Sequence, residues 1–488
     1  MRLALGVGMS SLLRIPLVPV SLATALLSGC TATLIPLLPK APPDFVYVLP
    51  VAAFQDSDGD GVGDLLGVRW HIQHIRSLGV QTVQLTPVAP GWDAGRTIPV
   101  AGGLDPALGS LDELAALAGD LHAEGMRLEV QVPMDAIGRS HPWFREGLLG
   151  GGRIELGLAS APGWCPTGDA RYYYASQGCG SADLDWDDPG LPGDVVAGLA
   201  PLVDAGVDGF VLRDFQTEGD RPPLEAASAV VAEALVADPA LGLVTAPNDP
   251  VVQTLQPWVG LGPVADVPRT LAWDAASRDA DVGWVTSVLT AWGDDVSRTR
   301  PFLSDYDRSR LASRVHDATL RRTLLTLHLL GPGHPALYYG DELDLPDTTT
   351  QPVDMPWRAP MPWNGKWNCG FSTGEPWFEA DPACKVGVDA YDEARTAGSM
   401  LLLVRWLGEV RSMWGATTAT LVPTGSAQLL AFRSGELLVV GNVGTGERRL
   451  EMPGLVGVDL ATGGPVGATI VVGGSGARVV HVLADGDS

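Results

Sequence analysis

An α/β architecture, parallel βα units closed into a barrel and followed by an all-β domain, is expected from the amino-acid pattern. Two observations carry it. Short apolar runs alternate with segments of helical period across ~350 residues, and the last ~70 residues switch to short alternating runs broken by glycine. Periodicity does not separate a closed barrel from an open sheet, but the length favours the barrel. With 488 residues, 46% hydrophobic and 18% charged, the chain can bury a large core and lacks the charge excess of a disordered one.

The first strand is read at residues 45–50, Phe-Val-Tyr-Val-Leu-Pro, a β-branched and aromatic run. Residues 80–85 form the next strand and 111–124 its helix, and strand 128–132 precedes a long irregular insert. Strand 207–212 leads to helix 224–236, strand 301–303 to helix 311–330, and strand 336–339 to helix 400–413. The all-β tail contributes 421–422, 429–432, 437–443, 448–451, 456–460, 469–472 and 478–483, expected to form a sandwich packed on the barrel. The boundaries are then a leader at 1–29, a tether at 30–43, barrel segments at 44–132 and 186–414 around an insert at 133–185, and the β-sandwich at 415–488.

Arg2 and Arg14 with the apolar run 17–27 read as an export leader, and Met9 as a second possible start for it. Its end, Leu27-Ser28-Gly29-Cys30, resembles a bacterial lipobox, which implies cleavage before Cys30 and lipid on its sulfur. A plain secretory leader with a chance cysteine is the alternative, and both imply export. Thr31 is not the Asp of an inner-membrane retention signal, so the outer membrane or cell surface is the expected membrane. In an oxidising compartment the other four cysteines are expected to form two sequence-local disulfides, Cys165 with Cys179 and Cys369 with Cys384. None has metal-type C-x-x-C spacing. The net charge of −25 argues against a nucleic-acid partner.

Residues 205–214 read A-G-V-D-G-F-V-L-R-D. They resemble the strand that carries the nucleophilic carboxylate, G-V-D-G-F-R-L-D, in the alpha-amylase superfamily (glycoside hydrolase family 13). Residues 54–64, F-Q-D-S-D-G-D-G-V-G-D, are similar to the loop after the first barrel strand in its oligoglucosidase branch. His141-Pro-Trp-Phe144, the D-L-D-W-D-D-P of 183–189, the Y-Y-G-D-E-L of 338–343, and Met361-Pro-Trp363 with Gly370-Phe371 and Pro376-Trp377 match in order. The resemblance implies a (β/α)8 TIM barrel with a small insert after strand 3, a C-terminal β-sandwich, and an α-glucan or other carbohydrate as ligand. It also implies calcium in the first loop, held by Asp56, Asp58, Asp60, Asp64 and the carbonyl of Val62. The alternating oxygens suit a hard cation, and an Asx-rich turn without metal is the plainer alternative.

A retaining glycosidase needs two carboxyl groups ~5 Å apart at the C-terminal ends of the barrel strands. At the matching positions this chain has Val211 for the family's Arg, Arg213 for its nucleophile and, within Thr245-Ala246, Ala246 for its proton donor. The sugar-holding G-Y-D is Gly95-Arg96-Thr97, the D-x-x-x-N-H of the third strand becomes Gln131, Asp135 and Ala136, and N-H-D becomes Asp305-Tyr306-Asp307. A guanidinium stays protonated and cannot serve as nucleophile. The expectation is therefore a catalytically silent, exported, lipid-anchored protein that works by binding a glycan or a partner. Alternatives are an active glycosidase with relocated acids, Asp214, Asp249 or Asp307, and a purely structural envelope lipoprotein. Strand parity turns Asp214 outward unless a bulge re-aims it. Arg96, Gln131, Asp135, Tyr306 and Asp307 are the binding candidates, with Arg213 and Asp307 expected to pair across the mouth. Trp92, Trp164, Trp363, Trp367 and Trp377 are candidate sugar platforms, most of them read as core or loop anchors.

Overall fold

The computed structural model describes residues 45–89, 103–133, 136–158, 160–176, 178–213, 302–306, 309–349, 355–415, 418–426 and 428–484, with the backbone alone at 212, 213 and 484. Cys30 with the leader and tether, Trp92, Arg96, Asp135, Asp214, helix 224–236, Ala246, Asp249 and Asp307 lie outside the described residues.

Strands Val46–Leu49, Thr82–Leu85, Arg127–Pro133 and Gly209–Arg213 lie side by side in sequence order, all parallel. Strand Ala336–Tyr338 comes back to pair, also parallel, with the free edge of the first. Phe302 extends that edge by a parallel bridge to Ala336. A late strand returning beside the first, with the others in order, is the arrangement of a closed (β/α)8 barrel.

Helix Leu111–Ala123 begins at a reciprocal cap, in which the Ser110 side chain accepts from the Glu113 N–H and Glu113 accepts from the Ser110 N–H. It buries Leu114, Leu117, Ala118 and Leu121, one stripe of a 3.6-residue period. The long helix expected at 311–330 is two, Leu311–Arg314 and Ala318–Leu329. Asp317 accounts for the break, because its carboxylate accepts from the Thr319 and Leu320 N–H groups and starts a new helix there. Six further α-helices among the described residues lie outside the expected set: Val51–Phe54, Leu65–Trp70, Ile72–Ser77, Pro142–Leu148, Leu191–Asp204 and Ala390–Glu393. Helix Met400–Trp414 is capped by Ser399 and packs on Ala318–Leu329. No helix among the described residues is long and apolar enough to cross a membrane.

In the insert, Ala136–Gly138 pairs antiparallel with Ser181–Asp183, and Leu156–Gly157, Tyr172–Tyr174 and Trp164–Pro166 form a small sheet. Both expected disulfides are present, Cys165–Cys179 and Cys369–Cys384. In the C-terminal domain a six-stranded sheet and the two-stranded ladder of Arg448–Glu451 with Thr469–Val472 enclose Leu438, Val440, Val480, Leu450 and Ile470. The opposite face of the larger sheet, with Leu430, Phe432 and Val439, joins the core of the barrel. Strand Pro465–Val466 is an addition to the expected set.

Candidate functional site

Strand register decides which side chains line the inside of the barrel. The Tyr47 hydroxyl donates to the Glu342 carboxylate at 2.6 Å, and that carboxylate also meets His74 on helix Ile72–Ser77 at 3.1 Å. Tyr47 therefore faces the helices. Its neighbours in the strand, Val46 and Val48, face inward, and register partners in parallel strands share a face. The inner rows then run Val48, Gln84, Glu129 and Gly209, and above them Gln131 and Val211. Gln84, Glu129 and Gln131 are buried, and none of them lacks a partner.

Gln131 thus sits inside, one layer below Pro133, which is in register with Arg213 at the end of its strand. Glu129 is an inward carboxylate that motif matching passes over. It lies about 6.6 Å deeper than Gln131 by strand rise, and the parity of Gln131 two residues on would have revealed it. Ala136 begins the first strand of the insert and is buried.

Tyr306, expected at the binding surface, is buried instead. The Arg358 guanidinium lies 3.4 Å from its ring centroid, and its carbonyl accepts from Arg358 Nε at 2.9 Å and Trp357 Nε1 at 2.6 Å. The reason is the guanidinium, which covers the ring where a ligand would need it open. Beside it, buried Arg310 approaches Asp341 at 3.6 Å and lies over the rings of Tyr338 and Tyr339. Burial pushes the Asp341 carboxyl up to about 7, against the pull of Arg310. The Y-Y-G-D-E-L motif of 338–343 is a family landmark, and its adjacent acids, Asp341 and Glu342, are the signal in the sequence for this buried charge cluster.

Of the tryptophans, Trp363 is an anchor: its Nε1 donates to the Phe54 carbonyl at 2.7 Å and its ring stacks on His71 at 3.4 Å. Trp377 donates to the Ala52 carbonyl at 2.8 Å, Trp164 packs edge-on against Tyr174, and Trp367 is exposed. Burial pushes the His71 imidazole down to about 3, with His74 adding to it, and His328 down to about 4 against its bond to the Ala336 carbonyl. Both pKa values are below the unfolded value of ~6.5, so each histidine contributes stability that is present above pH ~6.5 and lost as pH falls toward those values. Asp341 acts in the opposite sense, because its raised pKa adds stability at low pH that is lost as pH rises through about 7. Burial also raises the carboxyls of Asp389 and Glu393, which act in the sense of Asp341, so single variants rather than the native curve separate the two kinds of group between pH ~6.5 and ~4. Relative to the native protein, the urea midpoint of His328→Gln should fall less, or rise more, as pH drops through that range, and that of Asp341→Asn should do the opposite, as denaturation at stepped pH would read.

The loop after the first strand brings Asp56, Asp58 and Asp64 together, with one carboxylate oxygen from each within 4.8 Å of the others. Asp60 is outside that group, and its carboxylate accepts from the Val62 N–H at 2.8 Å. Asp56 is buried and accepts from the N–H groups of Asp58, Gly59 and Gly61 and from the Ser372 hydroxyl. Three converging carboxylates with no nitrogen or sulfur donor fit a hard cation such as Ca²⁺. Three N–H groups and one hydroxyl donating to Asp56 also fit an Asx turn.

The family model for the alpha amylase catalytic domain matches residues 47–150 and 279–419, about half of the chain. The chain belongs to the alpha-amylase family. A probable oligo-1,6-glucosidase of Bacillus subtilis (strain 168) is 22% identical over 437 residues, which is 69% of this chain and 77% of that protein. A 4-alpha-glucanotransferase of Thermotoga maritima is 26% identical over 348 residues, 65% of this chain and 76% of that one. Among solved structures, trehalulose synthase from Pseudomonas mesoacidophila MX-45 superposes with TM-score 0.72 at 19% identity, covering 90% of this chain and 98% of its own. That likeness establishes the shared barrel and C-terminal β domain, and the family places the chain in carbohydrate metabolism.

Proposed function

We propose that this alpha-amylase-family chain is exported and binds an α-glucan without hydrolysing it. The observation that carries the reading is the end of the fourth strand. The motif match of 205–214 puts Arg213 at the position of the family's nucleophile, and in the strand ladder Arg213 pairs with Pro133, as Val211 does with Gln131. The sequence puts alanine, Ala246, at the proton-donor position. Neither residue supplies a carboxyl group, and the two-carboxylate mechanism needs both. The names of the relatives, an oligo-1,6-glucosidase and a 4-alpha-glucanotransferase, support an α-glucan as the ligand class.

Calcium is the proposed structural ion of the first loop, held by Asp56, Asp58 and Asp64, with Asp60 and the Val62 carbonyl beside them. Bound there it would neutralise the clustered carboxylates. Lipid on Cys30 is the proposed anchor, and Cys30→Ala should move the protein out of the membrane fraction, as fractionation with immunoblotting would read.

Purified protein incubated with maltooligosaccharides and 4-nitrophenyl α-glucoside should release no product, while calorimetry should detect binding of the oligosaccharide. Turnover that disappears in Asp214→Asn would sink the silent reading in favour of relocated acids. Failure to bind any glucan would leave a structural envelope role.

A further inference from the structure

The long segment between strand Ala336–Tyr338 and helix Met400–Trp414 follows the C-terminal end of a barrel strand, so it belongs to the face where the mouth opens. It is braced against the loop of the first strand. Asp56 N–H and Gln55 Nε2 both donate to the Phe371 carbonyl, at 3.0 and 2.6 Å, and Trp377 N–H donates to the Gly61 carbonyl at 2.9 Å. Two of the tryptophans in this segment, Trp363 and Trp377, tie it down by their indole N–H groups. Trp367 does not. It is 71% exposed, with no hydrogen-bond partner among the described residues.

The backbone that carries this exposed indole is braced on both sides. Trp367 opens a short 3-10 turn, Trp367–Gly370, whose Cys369 is bonded to Cys384 in a second turn, Pro382–Val386. The N–H groups of Trp363 and Asn364 donate to the Cys369 carbonyl at 2.8 and 3.0 Å, and the Asn368 amide holds the Gly374 carbonyl at 2.5 Å. The disulfide thus ties the turn that Trp367 opens to the turn Pro382–Val386.

Lysine is rare in this chain. The sequence contains three lysines, Lys40, Lys366 and Lys385, within a net charge of −25. Two of the three meet here: the Lys385 ammonium donates to the Gly365 carbonyl at 3.0 Å and to the Lys366 carbonyl. Lys366 itself is exposed beside the indole.

We propose that Trp367 is the stacking platform of a surface subsite for a neutral α-glucan, with Lys366 as a hydrogen-bond donor at its edge. A pyranose presents a flat apolar C–H face and a rim of hydroxyls, which an exposed indole with an adjacent donor complements. Bracing the turn beforehand lowers the backbone entropy lost on binding. A neutral polyol also escapes the repulsion that the net charge imposes on any polyanion. The subsite rests on the glucan-binding reading above and adds a location for binding outside the barrel mouth.

The test is calorimetry of the full chain with maltoheptaose, run on the native protein, Trp367→Ala, Trp367→Phe and, as a control at another exposed tryptophan, Trp70→Ala. The expected result is affinity about tenfold weaker in Trp367→Ala, largely kept in Trp367→Phe and unchanged in Trp70→Ala, with equal melting temperatures. Undiminished binding by Trp367→Ala would overturn the subsite and leave the glucan-binding reading standing. No binding by the native protein would overturn both. Co-sedimentation with phosphatidylglycerol vesicles that is lost in Trp367→Ala, with no change in glucan affinity, would overturn the subsite and assign the surface to a membrane.

Discussion

Asp56→Ala should destabilise the protein by about 4 kcal/mol, since the buried carboxylate accepts four hydrogen bonds that no other group can take over. Three come from the N–H groups of Asp58, Gly59 and Gly61, at 3.1, 2.7 and 2.8 Å, and shape the loop. The fourth, from the Ser372 hydroxyl at 2.6 Å, joins that loop to a segment 316 residues away. Without the carboxylate, the Gly61 N–H is left buried and unpaired and the long-range tie is cut. Asp56→Asn keeps the shape and one oxygen, so it should fall between alanine and native. Urea denaturation measures the difference, and a loss under 1 kcal/mol in the alanine variant would contradict it. Adding calcium chloride should raise the native midpoint and leave that of Asp56→Ala unmoved, because only a cation bound to the folded loop stabilises it. A native midpoint indifferent to calcium and to chelator would make the loop a metal-free Asx turn.

Arg411→Met should cost about 3–5 kcal/mol. Arg411 is almost fully buried, and its guanidinium donates to the carbonyls of Leu329 and Gly331 at 2.8 Å and of Gly333 at 2.6 Å. These carbonyls lie where helix Ala318–Leu329 ends and the chain turns toward the returning barrel strand, beyond the reach of intrahelical donors. Methionine keeps the aliphatic bulk and removes every donor, so the three carbonyls are left without that partner in the core. Arg411→Lys should recover only part of the loss, because one ammonium cannot span the fork. Denaturant midpoints that rank native, lysine, methionine would support this account, and a methionine variant as stable as native would refute it.

Most of the architecture could be read from periodicity because each barrel strand buries its outer face and each long helix a stripe. Helix Leu111–Ala123 ended one residue short of its expected limit, and strand Arg127–Pro133 contained the whole of 128–132. Short helices escaped because Leu65–Trp70 and Ile72–Ser77 are each too brief to show a period, and Leu191–Asp204 carries prolines that read as breaks. The two disulfides were legible from local pairing. The site was only partly legible. Motif positions located Gln131, but nothing in a motif says that the Tyr306 ring is covered by Arg358, 52 residues later in the chain. Asp60 illustrates the same limit, since alternating acids give the spacing of a cation loop and not which oxygens converge.

The Arg358 guanidinium on the Tyr306 ring has a consequence for the history of this lineage. The motif match at 305–307 sets Tyr306 against a histidine of the family; on that match the tyrosine is a substitution, and the Arg358 guanidinium packs on it. Restoring histidine alone would remove the phenol ring facing a buried guanidinium, a loss of about 0.5–2 kcal/mol, before any ancestral function could return. A change that was easy to accept thus becomes hard to reverse, as with a ratchet. Descendants of this chain should keep Tyr306 and Arg358 together or exchange them together, a pattern that sequencing of close relatives can check.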